Sequence, residues 1–171
     1  MGVIGALAAA ATGRFAAAEH RGPSPDLFPG AGAGAMPLRM RTKRALSLSD
    51  ARKILDAARR EAEQRKWNVS IAVVDEGGFL LALERMDGAP LQSAEIATRK
   101  AWTAAMVRVP TKTVEDMAKD RPGLLGMPGQ LRVQGGVPMQ VEADWVGAVG
   151  VSGVASHEDE QVARAGIAAL G

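Results

Sequence analysis

The stretch Val73-Val74-Asp75-Glu76-Gly77-Gly78-Phe79-Leu80 decides the fold. Val69, Ile71 and Val73 alternate with smaller or polar neighbours, and Phe79 to Arg85 returns as a second run of the same kind. Between them Glu76-Gly77-Gly78 provides residues that accept the positive φ of a tight turn. Alternation interrupted by glycines and then resumed is the pattern of a β-hairpin. The Asp-Glu-Gly-Gly segment lacks both the lysine of a phosphate loop and the carboxylate spacing of a calcium loop, so it is read as a turn.

Elements follow on both sides. Upstream, Ser47 or Ser49 can cap a helix in which Ala51, Ile54, Leu55, Ala58 and Ala62 recur every three or four residues, ending near Lys66. Downstream, Ser93 opens a helix that carries Ile96, Ala97, Lys100, Ala101, Ala104 and Ala105 on one stripe and stops before Pro110. Thr111 or Thr113 caps a short helix through Met117, Arg121–Gln130 is an irregular loop, and Gly135-Gly136 with Glu142-Ala143-Asp144 punctuate three further strands. Glu158 to Leu170 forms the last helix. Short turns between consecutive strands imply an antiparallel sheet with helices gathered against it, an α+β domain of at most three layers.

The composition changes near residue 45. Residues 1–45 form an arm whose first 38 positions are rich in Ala, Gly and Pro without a sustained period, so ordering them is not offset by burial. This arm is expected to be disordered or loosely attached, and 46–171 to be the domain. Deleting residues 1–38 should therefore leave the cooperative thermal transition unchanged, and loss of folding on truncation to Met40 would contradict that. Val3–Ala11 with Ala16-Ala17-Ala18 imitates a secretory signal, but no Lys or Arg precedes Arg14. A start near Met40 and a cytoplasmic location are favoured over export on a signal at 1–18. No run approaches the ~20 apolar residues of a membrane span.

The chain has no cysteine, which excludes disulfides, a thiolate nucleophile and thiolate-bound metal. Its formal charge of +2 has its excess in Arg39, Arg41, Lys43 and Arg44, next to the arm, and leaves no nucleic-acid footprint. The polar groups with ligand-binding character lie in Arg85-Met86-Asp87-Gly88-Ala89, where a guanidinium and a carboxylate stand on a glycine-containing connection. They suit a carboxylate-bearing ligand, and equally a self-contained ion pair that holds the loop. Ser93, Glu95, Thr98 and Lys100 follow along the helix. A lysine on an Ala-rich stripe can have its pKa lowered for acid–base work, or can simply snorkel to water. Glu95, Lys100 and Asp87 are thus the candidate proton carriers. Gly147-x-x-Gly150-x-x-Gly153 lies within an apolar strand instead of opening a helix, so its glycines admit another backbone or a flat ligand, not a dinucleotide.

The hairpin, the Arg85–Ala89 loop and the small-residue strand Val146-Gly147-Ala148-Val149-Gly150-Val151-Ser152-Gly153 occur in an order that resembles the GlcG/HbpS family. This is the haem-degrading or DUF336 domain, also found at the C-terminus of PduO-type adenosyltransferases. The resemblance covers about Leu46 to Leu170. It implies an antiparallel five-stranded sheet of profilin-like or PAS-like shape, assembly as a homo-oligomer, and a ligand crevice bordered by the strand end at Gly150, Ser152 and Gly153. It implies a domain that binds a small molecule, with haem or another tetrapyrrole among the candidates, in a non-catalytic or accessory role. The alternatives are a catabolic enzyme that uses Arg85 as anion clamp for a small oxo- or hydroxy-acid, and an accessory subunit tethered by the arm. With no Cys or Tyr, and His20 in the arm, axial donors reduce to His157 and to Met86, Met106, Met117, Met127 and Met139. His157 is a weak metal candidate because Glu158, Asp159 and Glu160 give that helix start a dipole role of its own. Leu124, Leu125, Met127 and Met139 are candidates for an apolar pocket wall.

Overall fold

The computed structural model describes Met40 and residues 42–171. The expectations placed on 1–39, including the signal-like segment and His20, lie outside the described residues. The order of elements is α1 (Leu48–Arg65), β1 (Ser70–Asp75), β2 (Leu80–Arg85), α2 (Ser93–Val107), α3 (Thr111–Asp120), a 3-10 turn (Pro122–Gly126), β3 (Gly136–Val141), β4 (Asp144–Ser152) and α4 (Ser156–Ala168). The strands form an antiparallel sheet in the order β2-β1-β4-β3. Among the described residues no helix is long and apolar enough to cross a membrane.

Alternation along β1 separates two cores. Ile71 and Val73 join Ile54, Leu55, Ala58, Val149, Val151 and Val162 in the layer beneath α1 and α4. Ala72 and Val74 turn to the other face, where Ala97, Ala101, Ala104 and Ala148 pack α2 onto the sheet. Three layers result, with β1 buried on both faces. The small side chains of α2 let it lie close to β4. A Cβ on Gly150 would stand 2.1 Å from the Ala97 carbonyl oxygen and 2.5 Å from the Ala101 nitrogen.

The local chemistry explains the boundaries. Ser47 caps α1 by accepting from Asp50 N at 3.1 Å. In the hairpin turn Asp75 Oδ1 accepts from Gly77 N and Phe79 N, and Gly78 takes φ +80°. Four strands replace the five that were expected. The residues before Gly136 form no strand because helix side chains occupy their backbone: Leu131 N donates to Thr103 Oγ1 and Gln134 N to Glu115 Oε2. Thr111 does not cap α3; it lies in the first turn and its hydroxyl accepts from Gly136 N at 2.8 Å. The last helix begins at Ser156, two residues earlier than expected, because the Glu158 carboxylate reaches back to Ala155 N.

The described end of the arm makes contacts. Lys43 is paired with Glu76, and Arg44 with Glu142 through its side chain and Asp144 through its backbone.

Candidate functional site

The start of β1 is a meeting point. Ser70 pairs with Arg85 on one side and with Ser152 on the other. Met86 N donates to Val69 O at 3.0 Å, and Ala89 N closes a turn on Met86 O. Gly88 (φ +82°) passes the Asn68 side chain, and Gly153 passes the backbone of Asn68 and Val69. Arg85, Met86, Asp87, Gly88, Ser93, Ser152 and Gly153 are therefore brought to one end of the sheet around Asn68–Ser70.

Their roles there differ. Ser93 is buried, donates to Pro90 O at 2.6 Å and shares a 2.7 Å hydrogen bond with Ser70 Oγ, which anchors the start of α2. Ser152 is buried, and the space beside Gly150 is filled by α2. Arg85 is exposed and donates from Nη1 to Leu91 O at 3.2 Å. Asp87 and Gly88 are exposed and Met86 is half-buried. Arg85 is thus held by a backbone carbonyl rather than by Asp87.

Met127 is not part of this group. It lies on the far side of α2, beyond Val107, beside a cavity of about 340 Å3 that Val107 and Met127 both line. Since α2 has 15 residues, ~20 Å of helix separates that cavity from Ser93. The Arg85–Gly88 loop and the Leu124–Gln130 segment thus lie at two separate places.

Of the proton-carrier candidates, Glu95 is exposed and paired with Arg99 at 2.7 Å. Lys100 is 2% exposed, with its Nζ 2.8 Å from Asp159 Oδ2 and 3.0 Å from Val151 O. Asp159 Oδ1 also accepts from Val154 N. Burial pushes the Asp159 carboxyl above its ordinary value, while the hydrogen bond and charge of Lys100 pull against that. The pair ties α2, the end of β4 and the start of α4 together, away from solvent. The partner of Lys100 was missed in the sequence, although the lone lysine on an alanine stripe signalled that one was needed. His157 is exposed in the first turn of α4. Among the described residues no group of three or more His, Asp or Glu side chains could hold a metal ion. Met139 is buried at 1% exposure within the core and cannot wall a ligand pocket. By its fold the chain is a three-layer α+β domain with polar groups gathered at one end of its sheet.

A family model described as haem degrading protein HbpS-like matches residues 46–168. The chain belongs to this family. GlcG of Escherichia coli K12 is 45% identical over 114 residues, which are 66% of this chain and 85% of GlcG. Among solved structures, a double mutant of Streptomyces reticuli HbpS superposes with a TM-score of 0.75 at 38% identity, covering 83% of this chain and 98% of HbpS. A PduOC:heme complex does so with a TM-score of 0.68 at 31% identity, covering 74% of this chain and 95% of that one.

Proposed function

We propose that the chain is a haem- or tetrapyrrole-binding domain of the GlcG/HbpS type that holds its ligand without transforming it. The observation that carries this reading is the likeness to a relative captured with haem, which extends over nearly all of that relative. The state of Lys100 supports the non-catalytic part, since its pair with Asp159 closes it to solvent.

The ligand-contacting surface narrows to Arg85, Met86, Asp87, Gly88 and Gly153, since Ser93, Ser152 and Gly150 are spent in packing. This end of the sheet has fitting donor chemistry: an exposed guanidinium for a propionate at Arg85, a thioether at Met86 and, a few residues beyond Gly153, the exposed imidazole of His157. Titration with haemin, followed by the Soret band, tests the reading. A saturable shift is expected, and a spectrum that stays that of free haemin contradicts it.

Arg85→Ala should weaken haemin binding by about 1.5–3 kcal/mol, the range of charge-assisted hydrogen bonds. The melting temperature should barely move, because the side chain is exposed and makes one long bond to a carbonyl. A drop in melting temperature with unaltered affinity removes Arg85 from the site.

The domain should also self-associate. Phe79 is 74% exposed and Leu91 83%, and with Leu80 and Leu83 they leave apolar surface on and beside the edge strand β2. Light scattering should give a mass at least twice the 17.8 kDa of one chain. A clean monomer at micromolar concentration refutes it.

A further inference from the structure

Val107, Val114, Met117, Leu124 and Met127 wall the cavity of about 340 Å3 beyond α2, and Arg132 completes the wall. Arg132 is only 7% exposed. Its Nη2 donates to Gln130 Oε1, which also faces the cavity. Its Nε and Nη1 are buried, and no group among the described residues accepts from them. A guanidinium stays charged in proteins, and a buried N–H without an acceptor is costly. Such a group calls for an anion. The remaining walls are aliphatic and thioether side chains, which call for an apolar body.

We infer that this cavity binds a compact apolar carboxylic acid, with its carboxylate on Arg132 and its hydrocarbon among Met117, Met127 and Leu124. The volume falls in the range of small-molecule sites, roughly 300–1,000 Å3. Met117 and Met127 are each 46% exposed. Unbranched thioether chains reseat at low cost, which opens the way from solvent to the guanidinium. The inference does not rest on the haem reading, since the two places are separated by the length of α2.

The test uses octanoate as probe and 1-octanol as the same body without the charge. Octanoate should bind saturably, raise the melting temperature of the unmodified protein and shift the methyl resonances of Met117 and Met127. Octanol should do so at least about tenfold less well. Arg132→Met, which keeps the apolar shape and removes the unpartnered charge, should lose about tenfold or more in octanoate affinity. Its melting temperature without ligand should equal or exceed that of the unmodified protein. Arg132→Lys should keep part of the affinity. Haemin affinity should be the same in Arg132→Met as in the unmodified protein.

Any of these results overturns the inference: no saturable octanoate binding at millimolar concentration, equal binding of octanol, unmoved methionine methyls, or Arg132→Met binding octanoate normally. Joint loss of haemin and octanoate binding in that variant also overturns it, by making Arg132 part of the haem site. Because the methionine shifts are read on the unmodified protein, the test stands even if Arg132→Met fails to fold.

Discussion

Lys100→Met should lower the melting temperature by on the order of 10–20 °C, the consequence of losing about 3–5 kcal/mol when one partner of a buried ion pair is removed. Lys100 and Asp159 are both 2% exposed. The substitution fills the lysine's stem but leaves Asp159 buried with only Val154 N as a donor. The effect should depend on pH in a defined direction. Burial already holds the folded Asp159 carboxyl above its ordinary value, and without the charge and hydrogen bond of Lys100 it rises further. The folded variant then retains a proton that the unfolded chain releases. This contribution to its stability is therefore fully present below the ordinary carboxylate range and is lost as pH rises through the raised folded value. The gap in melting temperature between variant and unmodified protein should narrow from about pH 7 to about pH 4. Adding Asp159→Asn to Lys100→Met should recover most of the loss, since Asn keeps an oxygen for Val154 N and carries no charge. A single variant as stable as the unmodified protein, measured by calorimetry, would show that the pair does not tie α2 to α4.

Gly150→Ala should cost about 3 kcal/mol, the upper part of the overpacking range, because the new methyl meets backbone and not a flexible side chain. The atoms in its way are the Ala97 carbonyl oxygen at 2.1 Å and the Ala101 nitrogen at 2.5 Å. Relief requires α2 to lift from β4, which loosens the Ala97–Ala101–Ala104 contact with Ala148. Gly123→Ala is the control, since a Cβ there meets nothing within 4 Å. Equal denaturant midpoints for the two variants would contradict the close helix–strand approach.

These two positions mark how far the sequence could be read. The α1 stripe and its Ser47 cap are local features, and each residue of that stripe is buried as its spacing implies. The hairpin was legible for the same reason, since Asp75 and Gly78 act within a few residues of one another. The glycines of β4 were legible as places that another backbone or a flat ligand approaches closely, and the tertiary fold decides for the backbone of α2 at Gly150. The extra strand was misread because the two backbone donors that decide against it go to Thr103 and Glu115, side chains on other elements.

The grouping of residues at the sheet end was legible in part. Arg85, Met86 and Gly88 lie close along the chain, and the hairpin register brings them to Ser70 and, across β1, to Ser152 and Gly153. Lys100 and Asp159 are 59 residues apart, and only the tertiary fold pairs them. Arg132 was hidden by its neighbours. Alternation in Leu131-Arg132-Val133 would send the charge to solvent, yet Val133 is 37% exposed and Arg132 is 7%. The segment is not a strand, so a period of two does not govern it.

On the proposed function the domain holds haem and leaves it intact. The most direct measurement follows the absorbance spectrum of the haem-loaded protein over hours in the presence of ascorbate, with catalase added to remove peroxide. A Soret band should form on loading and then keep its intensity, in the unmodified protein and in an Arg85→Ala variant loaded at higher haemin concentration. Failure of the band to form, or its steady loss with the appearance of open-chain tetrapyrrole absorbance in the unmodified protein, contradicts it.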